Sequence, residues 1–272
     1  MTKLPWLLYG LTVVLLVVFY GGWSFSGEIN KDPQFFTIWN FLEEQPAYLL
    51  LMLGSIFFPL ILSFDRKVAY WRSWKYLWAP LLFISIPYIL WDIAFTSLGI
   101  WDFNDLYLTG FHMANLPIEE ISFFFVIPFA CIFIYECVVA YGLDRWLGSL
   151  SLYVMKAFWV LALLVIIFFW GHHYSGAAAL TVLTSIPVLL LFHNLQSRRQ
   201  MATAMLISYV PFFLVNSILT GSVTQTPIVR YNMEENLGFR IGSIPADDFL
   251  YQTGMLLGMY LIYHFFKSQK KN

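Results

Sequence analysis

The chain has 272 residues, 60% of them apolar and only 11% charged, with a mean hydropathy of +0.70. A soluble domain needs roughly a quarter of its residues charged to cover its surface, so this composition excludes one and demands solvation by lipid. A net charge of −1 excludes nucleic-acid binding through a basic surface, and Cys131 and Cys137, with no cysteine or histidine at ligand spacing, exclude a thiolate metal site and a disulfide scaffold.

A bilayer core is crossed by about 17 to 25 apolar residues in a helix. Eight such runs follow in chain order: 4–23, 46–64, 76–95, 118–141, 152–170, 176–193, 201–220 and 247–266. The first follows Lys3 but has no A-x-A cleavage site behind it, so it reads as a retained helix. Segment 24–45 is too polar to span. Asp32-Pro33 starts a helix there, and Phe35, Phe36, Trp39 and Leu42 share one face, the pattern of an outer interfacial anchor. The expected fold is an all-α polytopic membrane protein of about eight transmembrane helices. With the N-terminus inside, 12 of the 15 basic residues fall on the inner side and 13 of the 16 acids on the outer. The positive-inside rule then puts both termini in the cytoplasm, with the chain in the plasma (inner) membrane. Glu136 is expected to snorkel to the inner face.

The chain also repeats itself. Asp92 and Thr96 match Asn216 and Thr220 at an offset of 124, and Pro117-Ile-Glu119-Glu120 matches Pro245-Ala-Asp247-Asp248 at 128. Phe123 then matches Tyr251. Residues 46–141 and 176–266 are thus two parallel three-helix repeats, which implies a pseudo-two-fold axis along the membrane normal. Residues 1–45 hold an extra helix and the interfacial segment, 142–175 a linking helix, and 267–272 a basic tail.

Each acidic pair opens a spanning helix. One pair after a proline is an ordinary helix start that complements the dipole. Two pairs at equivalent positions, at a depth where carboxylates are costly, point to a site. Asp92, Thr96, Asn216 and Thr220 end helices at the same level. Phe123, Phe124 and Tyr251 follow the acids by one turn, and Arg230 and Arg240 are expected partners for the acids. His172-His173 reads as an interfacial turn. There is no G-x-G-x-x-G, no P-loop and no H-E-x-x-H.

Trp91-Asp92, Gly99-Ile100-Trp101, Gly110, Leu116-Pro117-Ile118-Glu119-Glu120, Phe123-Phe124 and Pro128-Phe129-Ala130-Cys131 together resemble the membrane-embedded lycopene cyclase domain, found as heterodimers in bacteria and as fusions in archaea and fungi. Residues 176–266 resemble its second copy, through Asn216, Leu219-Thr220-Gly221, Tyr231-Asn232, Glu235-Asn236, Gly238, Arg240, Pro245 and Tyr251. Asp247 departs from the glutamate usual in the family, which puts its shorter reach in question. The resemblance implies carotenoid biosynthesis by a β-cyclase: redox-neutral, acid-catalysed closure of the acyclic ψ ends of lycopene into β-rings, with no cofactor and no metal. Glu119 and Glu120 are then the acid side and Asp247 and Asp248 the base or cation stabiliser, or the reverse. Asp92, Thr96, Asn216, Thr220, Phe123, Phe124, Tyr251 and Arg240 are expected to support them. The implied partners are a lipid-soluble carotenoid, membrane lipids and other enzymes of the carotenoid pathway. A carotenoid hydratase shares the first protonation and is the alternative enzyme. A membrane transporter or lipid-binding protein is the alternative outside catalysis.

Overall fold

The computed structural model describes residues 46–268. The expected span at 4–23, the interfacial segment with Phe35, Phe36 and Trp39, and the last residues of the tail lie outside the described residues. Among the described residues are seven α-helices: α1 (Ala47–Leu62), α2 (Trp78–Ser97), α3 (Ile118–Tyr141), α4 (Asp144–Phe169), α5 (His173–Phe192), α6 (Leu195–Leu219) and α7 (Ala246–Ser268). Every apolar run expected after residue 45 is one of them. Helices α4 and α6 begin earlier than expected, at Asp144 and Leu195, because an apolar window ends where polar turns begin while the helix itself continues.

Five of these helices, α2 to α6, are long and apolar enough to cross a membrane. The chain is an all-α membrane protein. Helix α1 is apolar but has only 16 residues, and α7 falls below that hydropathy. The reason for α7 is its place. Almost every side chain from Ala246 to Tyr263 is buried, against α5, α2, α3 and α6. A central helix meets protein instead of lipid, so it can carry Asp247, Asp248, Gln252 and Thr253 at little cost. Helix α4 is its opposite: it packs mainly on α5 and α6 and shows lipid Leu161, Leu164, Ile167 and Phe168.

Local sequence sets the ends. Pro117, extended at φ −65° and ψ 149°, precedes α3, and Asn194 caps α6 by accepting from the Ser197 amide at 2.9 Å. Gly142 ends α3 in the left-handed region.

The repeat is visible in the packing. In the first copy α1 and α2 both pack on α3; in the second α5 and α6 both pack on α7. Across the copies α3 meets α6 and α2 meets α7, the two contacts a two-fold axis exchanges. Six short strands form three antiparallel pairs: β1 (Trp101–Phe103) with β4 (Val229–Tyr231), β2 (His112–Met113) with β3 (Leu116–Pro117), and β5 (Arg240–Ile241) with β6 (Ile244–Pro245). The last two pairs are the same hairpin in each copy. The first joins the copies, with Asp102 opposite its own counterpart Arg230. Two backbone bonds flank it symmetrically: Asn104 N–H donates to Ile228 O, and Asn232 N–H to Ile100 O, both at 2.8 Å. The pseudo-two-fold axis therefore runs through this small ribbon.

Two expectations about charges change. Arg230 forks onto Asp102 with two bonds of 2.6 Å instead of reaching the acidic pairs. Glu136 does not snorkel: it is buried, Lys267 reaches it at 2.5 and 2.6 Å, and Tyr263 donates to it at 2.7 Å. Helix α7 fills the space on that face of α3, so the lysine comes to the acid.

Candidate active site

The two residues of each acidic pair lie about 100° apart around a helix, so they face different surroundings. The first of each pair holds the loop that precedes its own helix. Glu119 accepts from the Thr109 amide at 2.7 Å, and Asp247 accepts from the Leu237 amide at 3.0 Å. These are the same bond at an offset of 128. The shorter aspartate keeps its reach, and Ser175 adds a bond at 2.5 Å to its other oxygen.

The second of each pair faces inward. Glu120 and Asp248 line one cavity of about 60 Å³ beneath the β1–β4 ribbon, together with Asp92, Asn216, Phe123 and Tyr251. Of the supporting residues expected from sequence, Phe124 is buried behind Phe123, at 5.5 Å between rings. Thr96 lies 3.5 Å from Asp92, and Thr220 bonds Asn216 O and Ser243 instead of facing the cavity. Arg240 bonds Ser243 O and lies over the Tyr231 ring, so it packs behind the cavity wall instead of lining it.

Several lining residues are not among the expected site residues: Tyr48 and Tyr174 carry no motif, and Trp101 and Tyr231 enter only as part of the family resemblance. Tyr48 donates to Glu120, and Tyr174 donates to Asp248. They are the same residue in the two copies, at an offset of 126, which extending the repeat to its first helix would have revealed. Trp101 and Tyr231, brought in by the ribbon, donate to Asp92 at 2.5 Å and to Asp248 at 3.0 Å. Burial and the neighbouring Asp248 carboxyl push the Tyr231 phenol well above its ordinary value, so it serves as a donor. Phe103, Phe212 and Gln252 complete the apolar and amide walls.

The two halves differ in one respect. Asp248 receives three donors: Tyr174, Asn216 at 2.6 Å and Tyr231. Three such bonds favour a carboxylate. Glu120 receives Tyr48 and then meets a second carboxyl, Asp92, which stands where the other copy has Asn216. Asp92 Oδ2 is buried and has no donor from any other side chain. Two carboxyls hydrogen-bond each other only with a proton between them. One half of the cavity thus sets two carboxyls side by side, and the other surrounds a single carboxyl with three donors, an asymmetry of the kind acid–base chemistry uses.

The rings around this space are close-packed. Tyr251 lies 5.0 Å from Trp91, Trp101 lies 5.1 Å from Tyr174, and Tyr174 stacks on Tyr231 at 5.9 Å. Aromatic faces attract a cation by about 0.5 to 2 kcal/mol each.

A family model described as lycopene cyclase matches residues 45–138 and 171–266, so it takes in both copies and leaves out the linking helix. Comparison with curated proteins and with solved structures gives no match.

Proposed function

The chain belongs to the lycopene cyclase family, an enzyme of carotenoid cyclase type, and on that premise we propose that it is a β-cyclase in which Glu120 and Asp92 supply the proton and Asp248 removes it. The observation that carries this reading is the asymmetry of the cavity, two carboxyls together on one side and a triply hydrogen-bonded carboxyl on the other.

The steps balance. The shared proton passes to the terminal C=C of an acyclic ψ end, and the π pair becomes the new C–H bond. The tertiary cation that remains is attacked by the next C=C, the end of the conjugated chain, which forms the C–C bond of a six-membered ring and moves the charge onto a ring carbon. Asp248 takes the proton from the neighbouring ring carbon, and that C–H pair becomes the ring double bond. One proton leaves the Glu120–Asp92 pair and one arrives on Asp248. Both groups face one cavity, so a return transfer across it resets the site. The substrate is a hydrocarbon dissolved in the bilayer, which suits an enzyme with its acids at the outer end of its helices. The tight aromatic wall supports ring closure over hydration, because it limits water near the cation.

The test is pigment analysis in bacteria that accumulate lycopene. The wild-type chain yields carotenoids of unchanged mass with β-rings, whereas a hydratase would add one water. Glu120→Gln and Asp248→Asn lose most activity while still inserting. Glu119→Gln, which keeps an oxygen for the Thr109 amide, stays active. Equal loss in Glu119→Gln and Glu120→Gln would overturn this division of the pair.

A further inference from the structure

Beside the carboxyl cavity lies a second space of very different character. It holds about 460 Å³, is lined almost wholly by apolar side chains, and runs between α1, α3 and α6. Its volume is that of an ordinary ligand pocket. Phe123, Phe212, Asn216 and Gln252 belong to the walls of both spaces, so the groove is continuous with the site.

The pseudo-two-fold axis ought to generate a twin groove between α5, α7 and α2. Some side chains there are larger, and small ones on α5, such as Gly176 and Ala177 where α1 has Leu50 and Leu51, let that helix close on α7. Val215 and Phe212 on the open side correspond to Trp91 and Tyr88 on the other, at the offset of 124. Gly54 corresponds to Leu180, at 126. Tyr88 and Trp91 are buried and lie 5.2 Å apart, and each also meets Tyr251, at 5.2 and 5.0 Å. Helices α5 and α7 are pressed together as well: a Cβ on Gly254 would overlap the Thr181 side chain. Among the described residues the duplicated frame thus has two acid positions and one open approach.

We propose that the α1–α3–α6 groove is the seat of the polyene chain and the entrance to the acids, so that one end of a carotenoid is processed per visit. This rests on the cyclase reading and names how its substrate is held. The groove shows lipid an apolar wall from Leu50 to Phe58, of the same polarity as a polyene. Gln252, buried at the neck with no partner for its Nε2, marks the point where apolar lining gives way to the acids. A substrate with two acyclic ends must leave, turn and re-enter between closures, because the opposite side offers no path for its tail.

Gly54 provides the test, since a Cβ there meets nothing within 4 Å and a side chain grows into the groove. Gly54→Cys is made with Cys131 and Cys137 replaced by alanine, inserted in membranes, and assayed before and after reaction with pyrene maleimide. Labelling is expected to lower the rate at least tenfold. The same label on Ile167→Cys, on the lipid face of α4, is expected to leave it unchanged. Complete labelling of Gly54→Cys without loss of rate would overturn the proposal, and so would an equal loss at Ile167. In a time course with the wild-type chain, one-ring product is expected free in the membrane in excess of enzyme. Two-ring product formed with no free one-ring carotenoid would overturn the single approach. A wild-type chain that leaves lycopene unchanged sinks the cyclase reading itself, whereas an active enzyme indifferent to the label sinks only the groove.

Discussion

Asp92→Asn would give the first half of the cavity the hydrogen-bond chemistry of the second. Asn216 shows what an amide does at this position: its Nδ2 donates to Asp248 at 2.6 Å. The introduced amide would donate to Glu120 in the same way, and the carboxyl–carboxyl contact proposed to share a proton would disappear. Glu120 would then be a second Asp248, an acceptor with donors on it and no proton to give. The change is nearly isosteric. The Trp101 indole, now 2.5 Å from Asp92 Oδ1, still finds an oxygen on the substituted side chain. Folding stability should therefore move by no more than about 1 kcal/mol, the net worth of one hydrogen bond.

The rate should change far more. A positioned general acid contributes about 10²- to 10⁴-fold, or roughly 3 to 5 kcal/mol of barrier. The assay is the initial rate of ring formation from lycopene in membranes, normalised to inserted protein, with thermal unfolding in detergent as the control. The expected outcome is a fall of at least a hundredfold with an unfolding temperature close to wild type. A rate within threefold of wild type would refute the shared-proton argument. A collapse of stability would show that Asp92 is part of the frame instead.

Two further predictions concern the frame. Ala114 turns the first hairpin at φ 55°, where the second copy has Gly242 at φ 67°, so Ala114→Gly should raise stability by about 1 kcal/mol in thermal unfolding, since a left-handed non-glycine residue costs about 1 to 2 kcal/mol. Lys267→Ala leaves Glu136 buried with only Tyr263 as donor, and should cost about 2 kcal/mol; the cost stays below that of a wholly buried pair because Lys267 is about one-third exposed. Glu136→Gln in the same background should recover most of that loss, and a failure to recover would assign the effect to packing.

What the sequence makes legible follows from periodicity and length. A run of apolar residues long enough for a bilayer can hardly be anything but a helix, and all such runs after residue 45 are helices. The acid positions are legible because they repeat. What periodicity does not carry is the facing of neighbours. Glu119 and Glu120 are adjacent in the chain, yet one ties down the loop at Thr109 and the other meets Asp92, because α3 is set between α1 and α2. Trp101 and Tyr231 enter the site through a three-residue ribbon, too short to announce itself as strand. Spacing alone puts Phe124 near the acids, and packing turns it behind Phe123.

The duplication also explains how one cavity can hold opposite chemistries. Two identical copies around an axis would present two identical acids, each with the same donors, and neither would be preferred as acid or base. One substitution breaks this. In the proposed mechanism the aspartate at position 92 shares a proton with Glu120, whereas the asparagine at 216 brings its own hydrogen to Asp248. The same pair of helices carries the second asymmetry, since Trp91 closes the approach that Val215 leaves open. The residues that differentiate donor from acceptor, 92 and 216, are therefore chain neighbours of those that differentiate closed from open, 91 and 215. On the proposed mechanism, one turn of helix in each copy would set both where the substrate enters and which carboxyl it meets holding a proton.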